Sequence, residues 1–339
     1  MTWKIKYESG MRKNGPVCLL ISAFLLGGAL AAPAAAAQSY PVRPIRMIVP
    51  YPPGGSTDPT GRAFAAWLTE ALGQQVVVDN RPGAGATIGH GLAAKATPDG
   101  YTILLGTSGG LATGPAINPK VPYDPVKDFT AIGLGVYTPF LLVVYPGLPA
   151  TNLQDFIALS KKQPGGIIFA SVGFGTPNHL GGELLKVMAG FKFVHVPYKG
   201  GGPATVDLIA GRAQALFGGI PYTGPHVKAG RLRAIAIGHP QRVSGWPDVP
   251  AIAETLPGFT NTTWFGLLGP AGMPKAVVNR INAEMKKAVA NPNFTRQLVA
   301  LGLEPASSTP AEFQKMIATE LARWRKVIKD ANITADSAQ

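Results

Sequence analysis

Ile45-Arg46-Met47-Ile48-Val49-Pro50-Tyr51-Pro52-Pro53-Gly54-Gly55-Ser56-Thr57-Asp58 is the stretch from which the fold can be read. Its first five residues are apolar and β-branched enough to form a strand. Ser56, Thr57 or Asp58 can cap a helix, and Pro59 suits the first turn. Phe64, Trp67, Leu68, Ala71 and Leu72 then recur at helical spacing, and Gly73 stops the run. The rhythm continues downstream. Residues 75–79 read as a second strand, 85–96 as a helix of small residues, and 101–105 as a third strand after the Pro98-Asp99-Gly100 turn. Strand and helix in strict alternation imply parallel strands with crossover helices, an α/β fold.

Further along, residues 106–125 are rich in Gly and Pro. Phe140-Leu141-Leu142-Val143-Val144-Tyr145 is a continuous apolar run, the signature of a strand buried on both faces. The alternation then resumes, with strands at 167–170, 193–196, 215–217 and 232–237 and helices at 179–189 and 205–210. A long loop carries Trp246-Pro247-Asp248-Val249-Pro250, and residues 264–268 read as a strand returning to the first domain. Three helices finish the chain, at 275–290, 294–301 and 310–330. In the last, Phe313, Ile317, Leu321, Trp324 and Ile328 make one apolar face, as core packing requires.

The chain has 339 residues, and its start reads as a leader. Lys4, Lys6, Arg12 and Lys13 precede an apolar run at 17–30 and small residues at 31–37. That is the pattern of a secretory signal peptide, residues 1–37, cut near Ala37; Met11 offers an alternative start. The apolar run is shorter than the ~20 residues a membrane span needs. Cys18, the only cysteine, falls in the leader, so the rest can form neither a disulfide nor a thiolate metal site. About 300 residues remain, more than one core usually serves, so two domains are expected. They hold 27 Lys/Arg against 17 Asp/Glu, a net charge of +10, which favours anionic partners. The basic residues are scattered, without a long run or interleaved aromatics, which argues against nucleic acid.

Ligands of open parallel sheets bind beyond the carboxyl ends of the strands, where three loops stand out. The first is Pro53 to Asp58. Its glycines let backbone approach a ligand, its helix start favours an anion, and its hydroxyls add adjustable hydrogen bonds. Asp58 would repel an anion, so it is expected to organise the loop. The second is Arg81-Pro82-Gly83-Ala84-Gly85-Ala86-Thr87-Ile88, which departs from a dinucleotide fingerprint because Ile88 stands where the third glycine belongs. The third is Ser171-Val172-Gly173-Phe174-Gly175-Thr176, leading into Pro177-Asn178-His179, with Tyr198-Lys199-Gly200-Gly201-Gly202 placed to close over the same ligand. Each loop alone also reads as a plain glycine-rich connection.

Gly106-Thr107-Ser108-Gly109-Gly110 fits the G-x-S-x-G pattern and raises a second reading, a secreted serine hydrolase using Ser108. The elbow needs a helix directly after the serine. Leu111-Ala112-Thr113-Gly114-Pro115 and Asn118-Pro119 are not expected to continue one, and Ser108 reads better as a cleft residue. His90, His179, His195, His226 and His239 show no metal-ligand spacing, and no cofactor is expected. His179, beside the third loop, is a candidate anion contact or a structural histidine.

These motifs, taken together, resemble a known family. Tyr40-Pro41-x-Arg43-Pro44-Ile45, the Pro53-Gly54-Gly55 loop with Asp58, Asp79-Asn80-Arg81-Pro82-Gly83-Ala84-Gly85 and Pro98-Asp99-Gly100-Tyr101 are similar to the Bug family. So are Pro122-Tyr123-Asp124-Pro125-x-Lys127-Asp128-Phe129, Gly175-Thr176-x-x-His179-Leu180, His195-Val196-Pro197-Tyr198-Lys199-Gly200 and Pro247-Asp248-Val249-Pro250. Bug proteins are periplasmic receptors of tripartite tricarboxylate transporters. The resemblance implies a two-lobed periplasmic binding protein, a Venus flytrap of type II-like form with the ligand cleft between its lobes. Lobe 1 would be 38–139 plus 263–339, and lobe 2 140–262. It implies a small carboxylate held largely by backbone N–H groups and ordered waters, and delivery to membrane permease subunits or a sensor kinase by a monomer. The expected ligand residues are Gly54, Gly55, Ser56, Thr57, Asp58, Ala86, Thr87, Ser108, Ser171, Gly175, Thr176, His179 and Tyr198. Two departures matter. Thr60-Gly61-Arg62 replaces the family's frequent Ala-Arg, and Gly218-Gly219-Ile220 stands where Asp or Asn is frequent. The second removes a polar group, so the ligand's far end is expected to be larger or less polar than a simple amino acid or dicarboxylate. Gly55→Val is expected to abolish carboxylate binding and leave the fold intact, because the added side chain blocks backbone approach. Calorimetric titration showing unchanged affinity would remove this loop from the anion site.

Overall fold

The computed structural model describes residues 1–6, 40–53, 56–198, 200–330 and 333. The expected leader and its cut near Ala37 fall almost wholly outside them. Residues 1–40 and 41–339 are separate units, and the second carries the whole fold below.

The first elements are β1 (Ile45–Val49), α1 (Thr57–Leu72), β2 (Val76–Asn80), α2 (Thr87–Ala94) and β3 (Thr102–Thr107). β1 pairs in parallel with both β2 and β3, as the alternation requires. Gly73 ends α1 at φ 69°, a left-handed cap that glycine reaches without strain. Gly61 has a packing reason. A Cβ there would lie 2.8 Å from Val49 Cγ2, so glycine lets α1 settle closely on β1.

After β3 come a π-helical turn at Gly109–Thr113, the short α3 (Gly114–Ile117) and then β4 (Phe129–Val144). The remaining elements are α4 (Leu153–Lys162), β5 (Ile167–Ser171), α5 (Pro177–Ala189), β6 (Phe193–Pro197), α6 (Gly201–Ile209), β7 (Ala215–Gly219), α7 (Ile220–Lys228) and β8 (Arg233–Ile237). Then follow β9 (Thr262–Pro270), α8 (Lys275–Ala290), α9 (Pro292–Ala300), β10 (Glu304–Pro305) and α10 (Pro310–Asp330). The sheet order is β2-β1-β3-β9-β4-β7-β5-β6, with β8 and β10 also paired to β4.

β4 is the axis of this order. From Phe129 to Pro139 it runs antiparallel to β9; from Phe140 to Val144 it runs antiparallel to β7 and β8. The change of partner follows Pro139, which has no N–H to give a ladder. The apolar run that begins at Phe140 marks only the second half of this strand. Its first half holds Gly133, Gly135 and two register shifts, so its sequence lacks a strand pattern. Two helices were also hidden from the sequence. α4 has a side-chain cap, Asn152 accepting from the Asp155 N–H, and α7 contains Gly224 and Pro225, which lower its helix propensity.

α10 packs with the face its spacing predicted. Phe313 and Ile317 lie in a core with Trp264 of β9, while Trp324 and Ile328 pack with Ala112 and with Leu180 of α5. The Phe313 ring meets Trp264 edge-on at 5.1 Å between centroids. Trp264 Nε1 donates to Glu320 at 2.9 Å, and Arg323 bonds both Glu320 and the Thr260 carbonyl. Burial pushes the Glu320 carboxyl up against the opposing pull of Arg323. Phe313→Ala should cost about 3–5 kcal/mol, the usual loss for a fully buried aromatic. Urea unfolding measures it, and a loss under about 1 kcal/mol would show that α10 does not brace the strand crossing.

Candidate ligand-binding site

A cavity of about 670 Å³ opens where the loops after the strands converge. The loop after β1 contributes Tyr51, Pro52, Ser56, Thr57 and Pro59, and the end of β3 contributes Thr107, Ser108 and Gly109. Opposite them are Val172, Thr176, Pro177 and Asn178 at the start of α5, Gly200 to Gly202 at α6, and Gly219, Pro221 and Tyr222 at α7. The floor is the strand crossing itself. Thr138 on β4 is in register with Thr263 on β9, and Phe140 and Phe265 also line the cavity. Alternate strand residues share one face, so these four point one way and Trp264 points the other, into the core.

Two hydroxyls on this surface are unusual. Ser108 Oγ and Thr138 Oγ1 are buried, in residues 1% and 3% exposed, and neither has a hydrogen-bond partner among the described residues. Buried polar groups are normally paired, and each hydroxyl can donate and accept. Around them the hydroxyls are engaged. Thr263 Oγ1 donates to the Thr138 carbonyl and Thr176 Oγ1 to the Gly173 carbonyl. Thr107 Oγ1 accepts from Gly110 N–H. Burial raises the Tyr51 phenol despite its bond to Thr107, which keeps it protonated.

Of the expected ligand residues, Ser56, Thr57, Ser108 and Thr176 line the cavity. Gly54 and Gly55 lie outside the described residues. Asp58, Ala86, Thr87, Ser171, Gly175, His179 and Tyr198 do not line it; most of them hold the loops from behind. Asp58 accepts from Arg62 Nε at 3.0 Å and from Asn80 Nδ2 at 3.0 Å, and Asn80 also donates to the Tyr51 carbonyl. Burial alone would raise this carboxyl, but Arg62 and Asn80 hold it below the usual carboxylate range.

The second loop is tied down by His90, which is fully buried. Its Nδ1 lies 2.8 Å from the Ala86 carbonyl, and its Nε2 accepts from Thr107 N–H at 3.5 Å. The carbonyl partner assigns the proton to Nδ1. Ala84 and Ala86 have φ of 47° and 81°, values alanine adopts only at a cost, so the anchor has strain to hold. Ala86 is thus held from behind, at the loop's contact with β3 through His90.

The third loop rests on a histidine pair. The His179 and His195 rings stack at 3.9 Å, Gly175 N–H donates to His179 Nδ1, and His195 Nε2 lies 2.7 Å from Ser171 Oγ. Glu183 faces His179 at 3.7 Å and also pairs with Lys186. Burial, then the charge of His179, lowers His195 to about 4. Tyr198 turns aside to donate to Asp207 at 2.9 Å.

The hydrolase reading meets two findings. A helical turn does follow Ser108 directly, contrary to the sequence expectation. Gly114 N–H reaches back to the Gly109 carbonyl, and Pro115 falls in the first turn of α3, where its missing N–H costs nothing. Yet Ser108 has ordinary helical angles, φ −58° and ψ −31°, and no base within hydrogen-bond reach among the described residues. The nearby His90 spends both nitrogens on backbone, so the serine-hydrolase reading is not supported.

Sequence reasoning missed Thr138, Phe140, Thr263, Phe265, Asn178 and Tyr222 as cavity residues. The signal was present for four of them, in the matching Thr-x-Phe alternation of Thr138-Pro139-Phe140 and Thr263-Trp264-Phe265. Asn178 Nδ2 donates to the Phe217 carbonyl and to Tyr222 Oη.

Burial lowers His90 from its ordinary 6.5 to about 4. Between those pH values the unfolded chain takes up a proton that the folded chain refuses, so stability is full above 6.5 and is lost as pH falls towards 4. The loss is about 3 kcal/mol by linkage. The melting temperature should therefore drop across this window, and His90→Gln should flatten the drop. Equal slopes for the two proteins would take His90 out of the explanation.

Known proteins resemble this chain in sequence and fold. Residues 61–333 match the family model described as tripartite tricarboxylate transporter family receptor. BugT of Bordetella pertussis is 38% identical over 313 residues, covering 92% of this chain and 96% of its own length. Rpa4515 of R. palustris, solved with adipate, is 35% identical with a TM-score of 0.77, covering 87% of this chain and 99% of that one. MatC of Rhodopseudomonas palustris, solved with malate, is 31% identical with a TM-score of 0.71, covering 85% and 100%. The match of residues 61–333 and the identity to relatives across nearly the whole chain show that this protein, whose strand ends carry the glycine- and hydroxyl-lined cavity, belongs to the tripartite tricarboxylate transporter receptor family, with the Bug proteins.

Proposed function

We propose that this chain is the exported solute-binding receptor that captures a small carboxylate and presents it to the membrane permease subunits of a tripartite transporter. The observation that carries this reading is the cavity. Four helices of eight or more residues, α1, α5, α6 and α7, begin at its wall, and two buried hydroxyls face it unpaired. Helix starts expose N–H groups and the positive end of the helix dipole, which together favour an anion. The relatives solved with adipate and malate support a carboxylate as that anion.

The ligand loops lie on both sides of the crossing strands β4 and β9. Lobes of 38–139 plus 263–339 and of 140–262 would close about these strands, with closure driven by tighter binding in the closed form. Export follows from a leader cut near Ala37, which puts the receptor in the periplasm as a monomer. A sensor kinase is a second destination for the closed form. The protein acts by binding, without turnover, and needs no metal or cofactor.

A thermal-shift screen of mono- and dicarboxylates on the chain from Gln38 onward tests this. A ligand at 100 times its dissociation constant should stabilise the fold by about 2.7 kcal/mol and be recovered unchanged. The effect should persist in high salt, because buried groups are weakly screened. A melting temperature that no carboxylate moves would end the receptor reading.

A further inference from the structure

We infer that the carboxylate taken by this cavity is carried on a flat aromatic ring, which lies on the floor built by Phe140 and Phe265 at the crossing of β4 and β9. The inference rests on the carboxylate reading above and narrows it to a ligand class. The strands are antiparallel with Thr138 opposite Thr263. Two residues onward, Phe140 and Phe265 therefore fall on opposite sides of the threonine pair, separated along the strands by about 13 Å, four residues at strand rise. The floor thus runs ring, hydroxyls, ring. Such a surface pairs best with a flat aromatic body, through offset or edge-to-face contacts.

The two ends of the floor differ. Phe265 is in register with Thr107, so it neighbours Ser108 and the start of α1, the donor-rich end suited to a carboxylate. Phe140 is in register with Gly219, where the wall is aromatic instead. A Cβ on Gly219 would lie 2.7 Å from the Tyr222 ring, and one on Gly218 would lie 2.2 Å from Thr223 Cγ2. Glycine at the two places lets Thr223 and Tyr222 occupy the space that side chains there would take. Among the described residues at this end, Phe140, Pro221 and Tyr222 offer an apolar, aromatic surface and no side-chain cation, so only the N–H groups at the starts of α6 and α7 are left there for a second charge. Burial pushes the Tyr222 phenol up to about 12, so it stays neutral. Midway, the unpartnered Thr138 Oγ1 can bond one neutral polar group on the ring.

Isothermal titration of the chain from Gln38 onward with benzoate, 4-hydroxybenzoate, adipate and malate tests the assignment. Both aromatic acids should bind at least about tenfold more tightly than the two aliphatic diacids. Phe140→Leu should weaken the aromatic acids by about tenfold and change the diacids less than about twofold. The ranking in the unaltered protein needs no variant, so it stands even if Phe140→Leu fails to fold. Adipate or malate binding more tightly than both aromatic acids would overturn the ring assignment while upholding the carboxylate site, as would equal loss of all four in Phe140→Leu. Binding of none of the four would overturn both.

Discussion

β4 and β9 carry the two halves of the sheet between them, and their pairing at Thr138 and Thr263 sets where everything else must go. A strand buried along nearly its whole length has to find partners for every N–H and carbonyl. β4 does so by serving β9 first and then β7 and β8, with Pro139 at the exchange because it has no donor to lose. The crossing strands have two faces, and the fold uses both. One presses Trp264 onto Phe313 of α10. The other is left for the cavity.

That division explains why the polar side chains of the loops act mostly from behind. A glycine-rich loop has much backbone freedom to lose, so something must fix it. Asp58 does this with Arg62 and Asn80, His90 with the Ala86 carbonyl and Thr107, and His179 with Gly175. These carboxylate and imidazole groups are spent on holding backbone. What faces the cavity is then helix starts, hydroxyls and rings. Anion capture by oriented dipoles needs no opposing charge, and it avoids burying an unpaired cation when the site is empty.

The same economy shapes ligand choice. Helix starts recognise negative charge but not the body that bears it. In the proposed receptor, discrimination falls to the floor and to the α7 end, where Gly218 and Gly219 give their space to Thr223 and Tyr222. In the proposed orientation, changes there would act on the far end of the ligand and leave the anion end alone.

The sequence alone determined the α/β alternation, the first three strands, the apolar face of α10 and the family, because period and short ordered motifs are local properties. It also singled out Ser56, Thr57, Ser108 and Thr176, which line the cavity, since a glycine- and hydroxyl-rich turn between strand and helix is itself a local signal. It did not reveal the first half of β4, whose glycines and register shifts erase the strand pattern, or α7, whose Pro225 and Gly224 argue against a helix. Nor did it reveal that Thr138, Phe140, Thr263 and Phe265 form one floor. Residues 125 positions apart become neighbours only through the antiparallel register of β4 and β9. The tertiary structure alone decided that His90, His179 and Asp58 serve the loops from behind, because whether a polar group meets ligand or backbone depends on which side of a packed strand it falls.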